Sequence, residues 1–250
     1  MCVAALAWHA HPRWRLVAIG NRDEYHERPA AALARWGDGS GIVAGRDLVG
    51  GGTWLGVSET GRFALITNRR GFGDPDPARR SRGELVSALL TGDAPPAALD
   101  AYNPFNLLAT TADTLEYLTN HPEPLRATLG HGVYGLSNGA LDEPWPKTLA
   151  LKAAVTDWLN VEGEDIAPLF AILASENRPT LGLPSYEASD IAIEPRDTPP
   201  FIRGPLYGTR CSTVVTVAAT GAGKIVERRF SASGEDIGQT RIDFVWPVSD

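Results

Sequence analysis

Met1-Cys2-Val3-Ala4-Ala5-Leu6-Ala7-Trp8 opens the chain. The polar stretch His9-Ala10-His11-Pro12-Arg13 follows, and then Trp14-Arg15-Leu16-Val17-Ala18-Ile19-Gly20-Asn21-Arg22-Asp23-Glu24. Two apolar runs around a short polar connection read as a pair of antiparallel strands. A hairpin returns the end of its second strand to the start of its first. Asn21-Arg22-Asp23-Glu24 is therefore expected beside Cys2. An initiator Met is normally trimmed when the next residue is small, and Cys is small. Trimming would leave a thiol and a free α-amine on one residue, a nucleophile with its own base. The α-amine suits that task, because its ordinary pKa of about 7.7–8.0 lies near working pH. The ordinary alternative is an edge-strand thiol among apolar neighbours, followed by a turn built on Asn and Asp.

Outward from this hairpin, Leu33 to Trp36 and Ile42 to Ala44 read as short strands. Gly50-Gly51-Gly52 precedes a second hairpin, Thr53 to Val57 with Phe63 to Thr67. The glycines let the backbone approach something closely or turn tightly before Trp54. No Gly-Lys-Ser/Thr follows them, so this is not a phosphate loop. Ser81-Arg82-Gly83-Glu84 has capping-box form ahead of Leu85, Val86, Leu89 and Leu90, and a helix is expected. A short helix is expected after Pro95-Pro96. Asn106 to Thr111 and Leu115 to Thr119 form a hairpin, and Val133 to Asn138 a strand. Pro146 starts a helix running to about Leu159, and Ile166 to Ala174 form another. Residues 177–200 read as irregular and long enough to serve as a lid. Leu206 to Val217 and Lys224 to Phe230 are paired strands, and Phe244 to Trp246 a last edge strand. Helices come in runs, not between single strands. The fold class is therefore α+β with antiparallel sheets, not a doubly wound parallel sheet. No repeat or linker divides the chain, so residues 1–250 are read as one domain.

The net charge of −7 argues against a nucleic-acid partner, which needs a basic face. Arg69-Arg70, Arg79-Arg80 and Arg82 surround a Gly/Pro/Asp loop and read as solvated, with a minor option of binding an anion. Cys2 and Cys211 are the two cysteines, and neither forms a C-x-x-C pair. A disulfide between them and a reducing compartment both stay open at this point. The N-terminus lacks the basic start of a secretory signal. No apolar run approaches the ~20 residues of a membrane span. A soluble, cytoplasmic protein is the expectation.

Besides Cys2, polar residues end or interrupt apolar strands at Asn21 to Glu24, Asn68, Asn138 and Arg210. As a set they supply what acyl transfer from a thiol requires. A cation stabilises a thiolate. A carboxylate holds the α-amine. An amide N–H stabilises a tetrahedral oxyanion, a contribution of roughly 3–4 kcal/mol.

Met1-Cys2, Gly20 to Glu24, Gly52-Thr53-Trp54-Leu55-Gly56, Thr67-Asn68, Tyr134-Gly135-Leu136-Ser137-Asn138, Pro144-Trp145-Pro146-Lys147 and Tyr207-Gly208-Thr209-Arg210 together resemble the NRDE family. This is the family of transport and Golgi organisation protein 2. The resemblance implies an N-terminal-nucleophile (Ntn) hydrolase-like fold, a four-layer αββα sandwich of two antiparallel sheets. That layout is similar to the cysteine Ntn amidases, such as bile-salt hydrolases and penicillin V acylases. By this similarity Cys2 matches the nucleophile, and Arg22 with Asp23 the charged pair beside it. Asn68 and Asn138 match the asparagines near the oxyanion site, and Arg210 the late active-site arginine. In those amidases the acid follows the arginine by three residues. Here Asp23 and Glu24 follow directly, so which of them faces the thiol is open.

The resemblance implies two functions. One is hydrolysis or transfer of an amide or thioester acyl group through Cys2, with no cofactor required. The other is binding and trafficking of haem or acyl-CoA in the same cleft, because the family is linked to secretion, haem trafficking and lipid handling. Asn21, Glu24, His26 and Trp54 are the expected ligand contacts, with His26 as the candidate axial ligand of haem.

Overall fold

The computed structural model describes residues 2–111, 113–161, 164–178 and 198–248. The lid expected within 177–200 therefore lies, for residues 179–197, outside the described residues. In chain order the strands β1 (Cys2–His11), β2 (Trp14–Tyr25), β3 (Ala30–Arg35), β4 (Ile42–Asp47), β5 (Leu55–Ser58) and β6 (Arg62–Asn68) come first. Helix α1 (Gly83–Thr91) and a single 3-10 turn (Leu99–Ala101) follow. Next are β7 (Phe105–Thr111), β8 (Thr114–Thr119), β9 (Leu125–Leu129), β10 (Gly132–Leu136), α2 (Pro146–Leu159) and α3 (Ala167–Leu173). The last strands are β11 (Tyr207–Ala218), β12 (Ala222–Phe230) and β13 (Asp236–Val245). Among the described residues no helix is long and apolar enough to cross a membrane.

The strands form two antiparallel sheets. One has the order β10-β1-β2-β11-β12-β13 and the other runs from β3 to β9 in sequence order. Side chains alternate across a strand, and here the alternation sorts the layers. On β1, Ala4, Leu6 and Trp8 enter the core between the sheets, where they meet Leu55, Val57, Phe63 and Leu65. Val3, Ala5 and Ala7 point the other way, onto Leu151, Val155 and Trp158 of α2 and Leu169 and Phe170 of α3. The outer face of the second sheet, at Ile42, Ala64 and Leu107, is covered by Leu85, Val86 and Leu90 of α1. The layers therefore follow the αββα order that the resemblance implies.

The helix at Pro146 has the bounds that its residues predict. The capping box does not form. Arg82 occupies the N-cap with no side-chain cap bond, and Glu84 pairs instead with Arg80 at 2.7 Å. A three-residue 3-10 turn stands where a short helix was expected after Pro95-Pro96. Strand β9 was not anticipated, because its alternation, Leu125-Arg126-Ala127-Thr128-Leu129, is only five residues long and lies on an exposed sheet edge. The last strand starts at Asp236, far ahead of Phe244, because its early residues are exposed edge positions.

The glycine run resolves in favour of close approach. A Cβ on Gly52 would collide with the carbonyl of Gly83, so only glycine lets the β4–β5 connection seat the first turn of α1. Gly52→Ala is expected to cost about 1–3 kcal/mol through overpacking, read as a lower midpoint in chemical denaturation. An unchanged midpoint would mean that this contact does not constrain the fold.

Candidate active site

The layer between the sheets is apolar along most of its length and becomes polar at one end. The parity that sends Ala4, Leu6 and Trp8 inward also sends Cys2 inward. On β2 it does the same for Arg22, on β11 for Cys211, and on β12 for Glu227 and Arg229. Cys2 pairs with Arg22, Arg22 with Cys211, and Cys211 with Arg229. These residues form a row across four strands and line one cavity of about 770 Å³. Cys2 and Cys211 stand two strand spacings apart, about 10 Å. A disulfide needs Cα atoms within ~7 Å, so the two thiols do not bridge. Both are free.

The backbone of Cys2 is fixed from three sides. Ser137 Oγ donates to the Cys2 carbonyl at 2.9 Å. The Thr67 hydroxyl donates to the Ser137 carbonyl at 2.6 Å, and Asn138 Nδ2 to the Asn68 carbonyl at 2.7 Å. The ends of β1, β6 and β10 are thereby tied together, one sheet to the other. Burial pushes the Cys2 thiol above its ordinary pKa, and the Asp23 carboxylate adds to that rise. The Asp23 N–H and the Arg22 guanidinium act in the opposite direction. The carboxylate that bears on Cys2 is thus Asp23. Its Oδ1 accepts a bond from Thr209 at 2.7 Å, and the residue is 4% exposed. Glu24 is engaged elsewhere, 3.9 Å from both Arg22 and Arg28. Asp47 bridges the same two arginines, at 3.5 Å and 2.8 Å.

Seven of the ten residues singled out in the sequence reach the cavity wall: Cys2, Arg22, Asp23, Glu24, Trp54, Asn68 and Arg210. The other three face elsewhere. Asn21 points to the helix side, where its amide donates at 2.8 Å to the carbonyls of Leu173 and Pro200. His26 Nε2 donates to the Gly204 carbonyl at 2.8 Å, away from the lining. Asn138 is fully buried and spends its amide on the Asn68 carbonyl, and Asn68 itself is part of the lining. Arg210 lines the cavity while donating to the carbonyls of Tyr25, His26 and Arg28 at 2.8, 3.1 and 3.1 Å.

The basic cluster read as solvated is in part a wall of this cavity. Arg79, Arg80 and Arg82 line it, and Arg82 is held by the Pro104 carbonyl at 3.0 Å. Burial, with Arg70 beside it, brings the Arg82 pKa down to about 10. Arg28, Asp47, Cys211, Glu227 and Arg229 were also missed. For the last two a signal existed, since Ile225, Glu227 and Arg229 continue one inward parity on β12.

The sequence profile of the family described as Transport and Golgi organisation 2 matches residues 1–232. The chain belongs to the Transport and Golgi organisation 2 family. It is 33% identical to the Transport and Golgi organization protein 2 homolog of Bos taurus, over 93% of this chain and 94% of that one. Its identity to the Homo sapiens homolog is 32%, over 91% and 92% of the two chains. Among solved structures, an N-acylethanolamine-hydrolyzing acid amidase ortholog of Caenorhabditis elegans superposes with a TM-score of 0.48 at 11% identity. That superposition covers 85% of this chain and 91% of the other.

In this Transport and Golgi organisation 2 family member, Glu227 is a buried carboxyl whose Oε1 accepts the Leu33 N–H at 2.8 Å. Burial raises its pKa. A carboxyl with a raised folded-state pKa favours the fold when protonated. That contribution is full below the unfolded value of about 4.3 and is lost as pH rises through the folded value. Glu227→Gln keeps an acceptor for Leu33 and removes the ionisation. The variant is expected to gain stability relative to wild type between pH 4 and pH 8. Parallel denaturation profiles across that range would show that Glu227 does not titrate with folding.

Proposed function

We propose that this protein is a cysteine acyl hydrolase or acyl transferase acting on an amide or thioester, with Cys2 as nucleophile after removal of Met1. The observation that carries the reading is the placement of Cys2 in the cavity wall, in register with Arg22 and with Asp23 next along β2. A thiol with a raised pKa is neutral at rest and needs a base. The α-amine of a trimmed Cys2 supplies one at no distance, and the Asp23 carboxylate would hold it as an ammonium. The amine takes the thiol proton, and the thiolate attacks the carbonyl carbon. The C=O bond opens to an oxyanion, for which the Asn68 amide is the donor at the wall. Collapse expels the amine or thiol leaving group with the proton from the α-ammonium. Water or an acyl acceptor then cleaves the Cys2 thioester and restores the thiol.

A second reading, a carrier of haem or acyl-CoA in the same cavity without turnover, draws support from its arginine lining. It does not use His26, which is held at Gly204. The two readings separate by intact mass before and after brief alkylation near neutral pH. The enzyme reading expects loss of Met1 and one rapid label that disappears in Cys2→Ala. It also expects Cys2→Ala to lose acyl turnover by about 10³-fold or more. Retained Met1, or a Cys2 no more reactive than free cysteine, would transfer the assignment to the carrier.

A further inference from the structure

Two polar residues stand in the layer between the sheets where strand parity calls for core. Thr67 follows Leu65 on β6, and Asn106 precedes Leu108 on β7. They pair across the two strands, and both are buried, Asn106 completely. Burying an amide and a hydroxyl is costly unless their donors and acceptors are met. Asn106 meets all of its own. Its Oδ1 accepts the Tyr117 hydroxyl at 2.8 Å and Arg69 Nη1 at 3.1 Å. Its Nδ2 donates to the Gly139 carbonyl at 2.8 Å and to Thr67 Oγ1 at 3.4 Å. A guanidinium only donates and a carbonyl only accepts, so the amide has one orientation. Thr67 in turn donates to the Ser137 carbonyl at 2.6 Å.

These donors hold the segment that follows β10. The Ser137 carbonyl takes the Thr67 hydroxyl, the Asn138 carbonyl takes the Arg70 N–H at 2.9 Å, and the Gly139 carbonyl takes the Asn106 amide. Three successive carbonyls are thus claimed by the second sheet and the loop leaving it. The segment matters to Cys2 because the β1–β10 ladder stops at Ala4–Leu136, two residues short of it. On its other side Cys2 is paired with Arg22. On the β10 side the Ser137 hydroxyl, 2.9 Å from the Cys2 carbonyl, stands in for the missing rungs. A chain of directed hydrogen bonds therefore runs from Tyr117 and Arg69 through Asn106, Thr67 and Ser137 to Cys2. Displacing a reacting group by about 1 Å is enough to cost roughly 10²-fold in rate.

We propose that Asn106 is a positioning residue for Cys2. Through Thr67 and Gly139 it fixes the segment from Ser137 to Gly139, and that segment fixes the Cys2 backbone. Asn106 is not part of the cavity lining and acts only through these bonds. The inference rests on the role given to Cys2 in the acyl reading above and adds to it a residue from the core face of the other sheet.

The test is the pH profile of Cys2 alkylation by iodoacetamide in the full chain, with the label located by peptide mass so that Cys211 is counted separately. Burial holds the parent midpoint above that of free cysteine. Thr67→Val removes the hydroxyl at nearly constant shape. It should bring the midpoint down toward free cysteine by about half a pH unit or more, the weight of one net hydrogen bond. Thr67→Ser, which keeps a hydroxyl, should retain the parent midpoint. Asn106→Ala should move it at least as far as Thr67→Val. Thr110→Val is the control for lost stability alone. It strips the Phe63 N–H of a buried acceptor on the same strand as Asn106, and should lower the denaturation midpoint without shifting the alkylation profile. An unmoved profile in Thr67→Val, or an equal shift in Thr67→Ser or Thr110→Val, would overturn the positioning role. The profile needs no acyl substrate. A shift in Thr67→Val beside a parent without acyl turnover would sink the hydrolase reading alone, and turnover beside an unmoved profile would sink the positioning role alone.

Discussion

The register of β1 against β2 is the constraint on which the other features depend. A slip of one residue in a strand sends every side chain to the opposite face. In the observed register Leu6 and Trp8 enter the core between the sheets, and Cys2 enters the same layer at its open end. A slip would put Cys2 against the helices, take Trp8 out of the core, and turn Asn21 from the end of α3 toward the cavity. The largest buried side chains therefore fix the position of the Cys2 thiol. Trp8 is 1% exposed, and its contact area is far more costly to forfeit than anything a thiol contributes.

A second tie acts across the layers. Ser137 and Asn138 join the first residue of β1 to the last of β6, and the Arg22–Asp47 ion pair and the Leu33–Glu227 hydrogen bond tie the same two sheets around the cavity. The contact between Gly52 and Gly83 brings a third element to the same place. It presses the start of α1 against the β4–β5 connection and carries Arg82 into the wall. Two asparagines and two arginines of the site thus do different work. Asn138 and Arg210 spend donors on backbone carbonyls and hold shape, while Asn68 and Arg229 are part of the cavity lining.

Legibility followed the periodicity of each element. The β1–β2 hairpin, α2 and the long strand β11 carry strong apolar patterns and could be read directly. The αββα order was read from the resemblance, and the run of hairpins and helices agrees with it. Strand β9 and most of β13 lie at sheet edges, where one face meets water and the pattern weakens. At the site, residues next to an apolar strand end were visible, because a polar residue there interrupts a pattern. Arg82 was hidden, because nothing local separates an arginine on a solvated turn from one folded under another loop. What buries it is a pair of glycines thirty-one positions apart in sequence, Gly52 and Gly83. Asn138 shows the converse, since a polar residue at the expected strand end can be consumed by the scaffold.

The spacing of the two thiols has a consequence for how this cavity ages. Many cysteine sites recover from peroxide because a sulfenic acid condenses with a second thiol of the same chain, and a reductase then opens the disulfide. Cys2 and Cys211 share a cavity but are held apart by the strand that carries Arg22. A sulfenic acid on Cys2 thus has no internal thiol to resolve it. Its rescue falls to a small thiol arriving from solution, and without one the next oxidation step is irreversible. The sheet that positions the Cys2 thiol also denies it a partner for repair.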